Sequence, residues 1–412
     1  MNFKKSVLAL TLFLVSFIAF SQNRLPDLTL NDSSTISLIT ASPGRQIYTH
    51  WGHSAIRVHD PSDNLDLVFN YGTFDFDTPG FVLKFMRGKL PYALSVYEFK
   101  NMPREYSYFN QALIEQTLNL STSEKQKVYD FLIRNYTPEN RYYMYDFFYD
   151  NCSSRIRDLF KTTLGDTLVF RNYLTEKKTL RDMVDSCLVH SPWLLFGIDL
   201  ILGLPADRKA NTWNSMFLPE YLMKAFAHAV IIRDGQETEF ARPGKIILPD
   251  IPVKEEPALF TPLRVSWGFF VFTLLLILVQ LVRKNTAVWF DTIIFSLSGL
   301  IGLFILFMWF GTDHLATKDN LNFLWLMPLN ILVPFALIKN PKGKLLNIYL
   351  MLTLGVNISL LMAWKLLPQP FNLAVIPLIL VFIFRSIYLL FVNYRPEKLN
   401  LKPENHVDRN GQ

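Results

Sequence analysis

The sequence predicts an α+β exported domain followed by an all-α bundle of five membrane-spanning helices. Three observations carry this expectation. The chain opens on a basic, then apolar, then small-residue pattern; its middle mixes short alternating runs with amphipathic ones; and beyond Thr261 long apolar runs dominate.

At the N-terminus, Lys4 and Lys5 precede an apolar stretch over residues 7–20, and Ala19-Phe20-Ser21 is a small-x-small cleavage site. Residues 1–21 are therefore expected to be an export signal, since so short an apolar core makes a poor permanent anchor.

Residues 22–262 have the length of one ordinary domain, expected on the periplasmic side. Residues 34–40 read as a strand. Residues 54–59 and 65–70 read as a β-hairpin around Asp60-Pro61-Ser62-Asp63-Asn64. Residues 94–99 read as a further strand. Residues 122–136 read as a helix, with Ser121 or Thr122 as cap and Glu124 or Lys125 in the first turn. Residues 152–163 form a second helix with Ile156, Leu159 and Phe160 on one face and Asn151 as its N-cap. Residues 180–188 read as helical, and the Pro- and charge-rich stretch 243–262 as the linker into the membrane.

The apolar runs 265–282, 287–310, 321–338, 345–366 and 373–392 are each near the ~20 residues that cross a bilayer. The third is interrupted by Asn322, Pro328, Asn330 and Pro334. Arg283 and Lys284 follow the first run, Lys339, Lys342 and Lys344 the third, and Arg395, Lys398 and Lys402 the fifth. The positive-inside rule puts all of them in the cytoplasm, which makes residues 263–395 a multi-pass domain of the inner (cytoplasmic) membrane and residues 396–412 a cytoplasmic tail. The net charge of +6 is spread along the chain without a contiguous basic stripe, which excludes a nucleic-acid footprint.

The chemistry-bearing motifs lie in the exported part. They are His50-Trp51-Gly52-His53-Ser54-Ala55-Ile56-Arg57-Val58 and Tyr149-Asp150-Asn151-Cys152-Ser153-Ser154-Arg155-Ile156-Arg157-Asp158. Asn151 as N-cap places Cys152 in the first turn of a helix, where the dipole and free N–H groups favour a thiolate. His53, directly ahead of a strand, is the expected base, in preference to His50, which in an extended segment points to the opposite face. Asn70 is the first candidate to orient His53, with Asp75, Asp77 and Tyr71 as alternatives.

His50, Tyr71, Asn151 and Arg155 are candidate substrate contacts. So are Lys84 and Arg87, whose run Lys84-Phe85-Met86-Arg87-Gly88-Lys89 alternates cations with apolar residues and suits lipid phosphates. Ion pairing is the plainer role for Arg155. A bridge between Cys152 and Cys187, the two cysteines, is the plainer reading of that pair; a free Cys152 is the one preferred. The HxxH spacing finds no partner set for zinc, so neither metal nor cofactor is expected. The apolar stretch 191–205 is too short to span; it suits the membrane interface, an acyl pocket wall or the soluble core. Asp313, His314, Thr317, Lys318, Asn320, Asn322 and Trp325, at the edge of the third run, either hold a lipid head group or end two helices.

The order of a His-bearing strand, a paired strand and an Asn-Cys helix resembles the circularly permuted papain-like NlpC/P60 thiol folds, and among them the lecithin:retinol acyltransferase group. The chain is most similar to the Lnb-type lipoprotein N-acyltransferases. Trp51–Val58, Phe69-Asn70-Tyr71-Gly72-Thr73-Phe74-Asp75-Phe76, the Cys152 motif, Phe196-Gly197-Ile198-Asp199-Leu200 and Thr317-Lys318-Asp319-Asn320-Leu321-Asn322 carry the likeness. The resemblance implies that Cys152 takes an acyl chain from a phospholipid as a thioester. It then passes the chain to the N-terminal amine of a diacylated lipoprotein, with His53 moving the protons. Phospholipid, lipoprotein and membrane are thus the implied partners. Asn70 stands where the lecithin:retinol pattern has a second histidine. Two competing readings are a cysteine peptidase or amidase on cell-wall peptides, and a non-catalytic membrane assembly protein with a structural Cys152.

Overall fold

The computed structural model describes Leu25 and residues 28–46, 49–250, 258–283 and 287–394. The expected export signal, the tail 396–412, Lys284, Arg395, Lys398 and Lys402 lie outside the described residues. The chain forms an α+β region followed by a bundle of apolar helices, and it divides into two compact units.

The first unit comprises Met1–Phe81, Leu90–Thr175 and Asn211–Pro252. Its strands are β1 (Thr35–Ala41), β2 (His53–Asp60), β3 (Leu65–Thr73), β4 (Pro91–Glu98), β5 (Leu113–Thr117), β6 (Tyr142–Met144), β7 (Leu168–Val169), β8 (Val230–Arg233), β9 (Gln236–Glu239) and β10 (Lys245–Leu248). Seven of them build an antiparallel sheet in the order β10-β5-β1-β2-β3-β4-β6, and β7-β8-β9 form a small second sheet. The β2–β3 hairpin closes through Asn64, whose φ of 51° suits a short polar side chain.

Alternation fixes what each face of the sheet packs against. Ile36, Leu38, Ile56, Val58 and Phe69 form one core with Val128, Tyr129 and Leu132 of the helix Thr122–Tyr136 and with Ile156, Leu159 and Phe160 of the helix Cys152–Leu164. Ile39, Ala41, Ala55, Val68, Met102 and Leu113 form a smaller core on the intervening residues. Both helices start on reciprocal capping boxes, Ser121 with Glu124 and Asn151 with Ser154. The stretch read as a linker differs from expectation. Residues 245–248 add an edge strand to β5, because Ile246 and its neighbours offer extended, β-branched backbone to an open sheet edge.

The second unit comprises Val82–Lys89, Glu176–Ala210 and Val253–Gln412. Among the described residues, four helices are long and apolar enough to cross a membrane: Pro262–Arg283, Val288–Phe310, Lys344–Met362 and Val375–Asn393. The third apolar run is not one helix. It is a broken pair, Leu315–Leu324 and Pro328–Lys339, bent by 56°, and it makes a fifth crossing only if the pair counts as one span. Pro328 cannot donate to the preceding turn, and Asn320 and Asn322 turn their amides to other partners. The break sits flush against the helix Val288–Phe310. A Cβ on Gly302 would lie 1.8 Å from Leu326 O, and one on Gly299 would lie 2.3 Å from Ile331 N. Only glycine allows backbones to approach so closely.

Buried polar groups tie this unit together. Arg385, fully buried, holds Asp291 through two nitrogens at 2.7 and 2.5 Å and Gln280 Oε1 at 2.9 Å, joining three apolar helices. Polar pairs this deep are tolerable because each charge is matched and hydrogen-bonded. The sequence reading singled out neither Asp291 nor Arg385 within their apolar runs.

Candidate active site

The site belongs to the first unit and is built on the ends of β2 and β3 and the start of the helix Cys152–Leu164. Asn151 fixes that start. Its Oδ1 accepts from Ser153 N and Ser154 N at 2.9 Å each, and its Nδ2 donates to Phe147 O at 2.7 Å and Phe217 O at 2.9 Å. All four hydrogen-bonding positions of the amide are used within the chain, so the candidate substrate contact Asn151 is placed as a helix cap and latch. Cys152 follows at the first helical position, half-buried, and neither it nor Cys187 is bridged.

His53 opens β2, and its ring is hydrogen-bonded to the Cys152 thiol. Its Nε2 lies 2.5 Å from Asn70 Oδ1 on β3. With Nε2 donating to Asn70, Nδ1 is the nitrogen left for the sulfur. The backbone N–H of Ser54 and the hydroxyl of Ser153, 3.9 Å away, also face the sulfur. Ser54 and Ser153 meet at 3.0 Å between hydroxyls, clamping strand to helix. Cys152, His53 and Asn70 are thus brought together in the order thiol, imidazole, amide.

Burial works against charge on both reacting groups. It raises the thiol and lowers the imidazole, but their mutual attraction and hydrogen bond, with the Ser54, Ser153 and Asn70 bonds, outweigh it. The outcome is a Cys152 pKa held below the usual thiol value and a His53 pKa above the usual imidazole value. Both shifts move the pair toward thiolate with imidazolium, the reactive form of a cysteine nucleophile. The N–H of Cys152, at the helix start, has no intrahelical acceptor and is a donor available to an oxyanion.

Gly72 is a site residue that the motif reading did not single out. It has φ +96° where the β3–β4 register shifts, and a Cβ there would lie 3.8 Å from both Cys152 Cβ and His53 Cε1. Its lack of a side chain keeps one approach to the pair open. The signal was a glycine two residues after Asn70, inside an otherwise regular strand.

The other candidates are not drawn into this cluster. His50 sits in the turn before β2, edge-on to Trp51, and burial holds its pKa below the usual value. Tyr71 is buried in the main core with its hydroxyl bonded to Asn135. Arg155 donates two hydrogen bonds to the Asp150 carboxylate at 2.6 and 2.8 Å and stacks over Tyr143 at 3.6 Å, the ion-pair role. Asp75 and Asp77 are exposed, and Asp75 caps its own turn at Asp77 N. Of the candidates to orient His53, only Asn70 reaches it. Lys84 and Arg87 belong to the second unit. Among the described residues no group of three or more metal-type side chains gathers.

In the second unit, Asp199 and the segment 317–322 meet each other. Asn320 Nδ2 donates to Leu200 O and Ile201 O at 2.8 and 2.9 Å, and Asn322 Nδ2 to Asp199 O at 3.1 Å. These are the last carbonyls of the helix Pro192–Ile201, which have no partners of their own. Asp199 itself binds Arg181 at 3.3 Å and Asn372 at 2.9 Å. Of the two roles considered for these polar residues, they take that of ending helices.

The family model described as Lnb N-terminal periplasmic domain matches residues 26–183, and the one described as Lnb transmembrane domain matches residues 254–397. The chain belongs to the Lnb family of lipoprotein N-acyltransferases. Searches of curated proteins and of solved structures returned no match. The two Lnb domains lie in the order expected from the sequence. They make this an inner-membrane protein with a periplasmic N-terminal domain and a general role in lipoprotein N-acylation. The Cys152 cluster lies inside the stretch matched by the Lnb periplasmic domain.

Proposed function

We propose that this protein moves an acyl chain from a phospholipid to the N-terminal amine of diacylated lipoproteins through a thioester on Cys152. The observation that carries the reading is the alignment of Cys152, His53 and Asn70, with the thiol held below its usual pKa. The Cys152 thiolate attacks the ester carbonyl, and the negative charge that develops on oxygen is met by the Cys152 N–H. Collapse breaks the ester C–O bond. The departing lysophospholipid oxygen takes the proton from His53, leaving a neutral imidazole and the thioester. The α-amine of the diacylglyceryl-cysteine then attacks the thioester carbonyl. His53 accepts the amine proton as the C–S bond breaks, and the thiolate–imidazolium pair is restored. Asn70 keeps the ring in the tautomer and orientation both steps need.

A membrane bundle suits a donor that resides in lipid. The cations after the third and fifth apolar runs support counting the broken pair as one crossing, with the C-terminus in the cytoplasm.

The test is mass spectrometry of lipoprotein N-terminal peptides from cells lacking the protein, complemented with wild type or Cys152→Ser. Triacylated peptides restored by wild type alone support the reading. Identical acylation in both strains removes it, and altered muropeptides would then favour a cell-wall hydrolase.

A further inference from the structure

Within the second unit, residues 82–89 form a short finger whose surface chemistry the reaction above does not use. The helix Phe81–Met86 buries none of its residues; Val82, Leu83 and Phe85 are 68%, 59% and 51% exposed. Lys84 and Arg87 stand among these side chains, and among the described residues neither has a carboxylate within ion-pair distance. Three exposed large apolar side chains on so short a segment mark a binding surface rather than ordinary scatter.

The finger is fixed to one place on the bundle. Asp313 N donates to Arg87 O at 3.0 Å, His314 Nε2 meets Phe85 O at 3.0 Å, and Lys89 pairs with Asp313 at 3.7 Å. Gly88, at φ +68°, lets the backbones close: a Cβ there would lie 3.3 Å from His314 N. Asp313 and His314 come directly after the membrane-crossing helix Val288–Phe310, whose last residues Trp309 and Phe310 are stacked aromatics. Aromatic residues at a span's end mark the lipid–water boundary. A second marker lies at the opposite end of the sequence-adjacent span. Trp193 Nε1 donates to Phe260 O at 2.8 Å, just before Pro262–Arg283 begins. In successive antiparallel spans, the start of the first and the end of the second face the same side.

We infer that the finger is a membrane-surface contact. Val82, Leu83 and Phe85 enter the boundary between head groups and acyl chains of the outer leaflet, and Lys84 and Arg87 meet lipid phosphates. The occupant is phospholipid rather than a protein groove, because the finger is tethered where a span leaves the bilayer and its cations match the phosphate layer. The finger is spliced between β3, which carries Asn70 and Gly72, and β4. A lipid contact there is therefore continuous in the chain with a strand of the site. This rests on the membrane placement and deepens the proposed phospholipid donor, but it does not need the thioester.

Hydrogen–deuterium exchange of the full chain tests it, in detergent and in nanodiscs of phosphatidylethanolamine with or without phosphatidylglycerol. Amides of residues 82–89 are expected to gain protection in both bilayers, more in the anionic one at low salt. In Lys84→Gln/Arg87→Gln, the added protection in anionic nanodiscs should fall by roughly 30-fold, from about 1 kcal/mol per cation at such a surface. Leu83→Asn should weaken it in both bilayers. Equal exchange in detergent and both bilayers overturns the inference. Thioester formation on Cys152 in the same nanodiscs is read separately. Protection without any thioester upholds the finger and removes the acyl-transfer reading; a thioester without protection does the reverse.

Discussion

Removing the amide of Asn70 isolates its hold on the His53 imidazole. In Asn70→Ala, His53 loses the partner that lies 2.5 Å from Nε2, while the thiol, the Ser54 N–H and the helix start stay in place. Nε2–H donates to Asn70 in both the neutral and the protonated ring, so the bond favours imidazolium only by the excess of a charge-assisted bond over a neutral one, about 1–1.5 kcal/mol. That is one of the forces that raise His53 and lower Cys152 against burial, the largest opposing influence on both. Without it the thiolate–imidazolium pair weakens by that difference, roughly 5- to 12-fold in its equilibrium with the neutral thiol and imidazole.

The assay is alkylation of Cys152 by iodoacetamide across pH, with Cys187→Ser as background. In wild type, reactivity should rise as pH climbs through a thiol pKa below the usual value, and the ion pair should persist until pH passes the raised His53 pKa. In Asn70→Ala, the rise should move to higher pH, with the rate near neutrality down by the factor above. Asn70→Asp, which keeps an acceptor and adds charge, should restore the low-pH reactivity. Superimposable profiles for wild type and Asn70→Ala would refute the assignment of Asn70 as the group that positions His53.

Two further outcomes follow from the same geometry. Asn151→Ala removes a helix cap and leaves the Phe147 and Phe217 carbonyls without donors. It should destabilise the periplasmic domain by about 2–4 kcal/mol, seen as a lower midpoint in limited-proteolysis melts. Gly302→Ala drives a Cβ into Leu326 O, whereas Gly355→Ala meets nothing within 4 Å. The first should cost the membrane unit at least about 2 kcal/mol and its monodispersity in size-exclusion chromatography, and the second should leave both unchanged.

The sequence by itself determined the chemistry on offer and the periodicities. Short alternating or apolar runs over 54–59 and 65–70, split by a turn sequence, made the hairpin legible, and the strands extend to 53–60 and 65–73. A Ser or Thr cap ahead of Glu124 made the helix Thr122–Tyr136 legible, and Asn151 ahead of Cys152 marked the second helix start. These are local signals, set by side-chain spacing and by unsatisfied N–H groups within one turn. Long apolar runs marked the spans for the same reason: a lipid-exposed helix carries its solvent preference in every residue.

What only the tertiary structure decided depends on distant backbone. Four candidates to orient His53 were compatible with the sequence, and sheet register selected Asn70 by bringing β3 alongside β2. Gly72 matters because the β3–β4 register shifts at that point. The third apolar run broke because Gly299 and Gly302, on another helix, admit its backbone and because Asn320 and Asn322 cap carbonyls more than a hundred residues away. Asp291 and Arg385 look like defects in apolar runs until the fold places them 2.5 Å apart. In each case the deciding energy is a close approach or a matched polar group between segments far apart in the chain. Neither leaves a mark on local sequence.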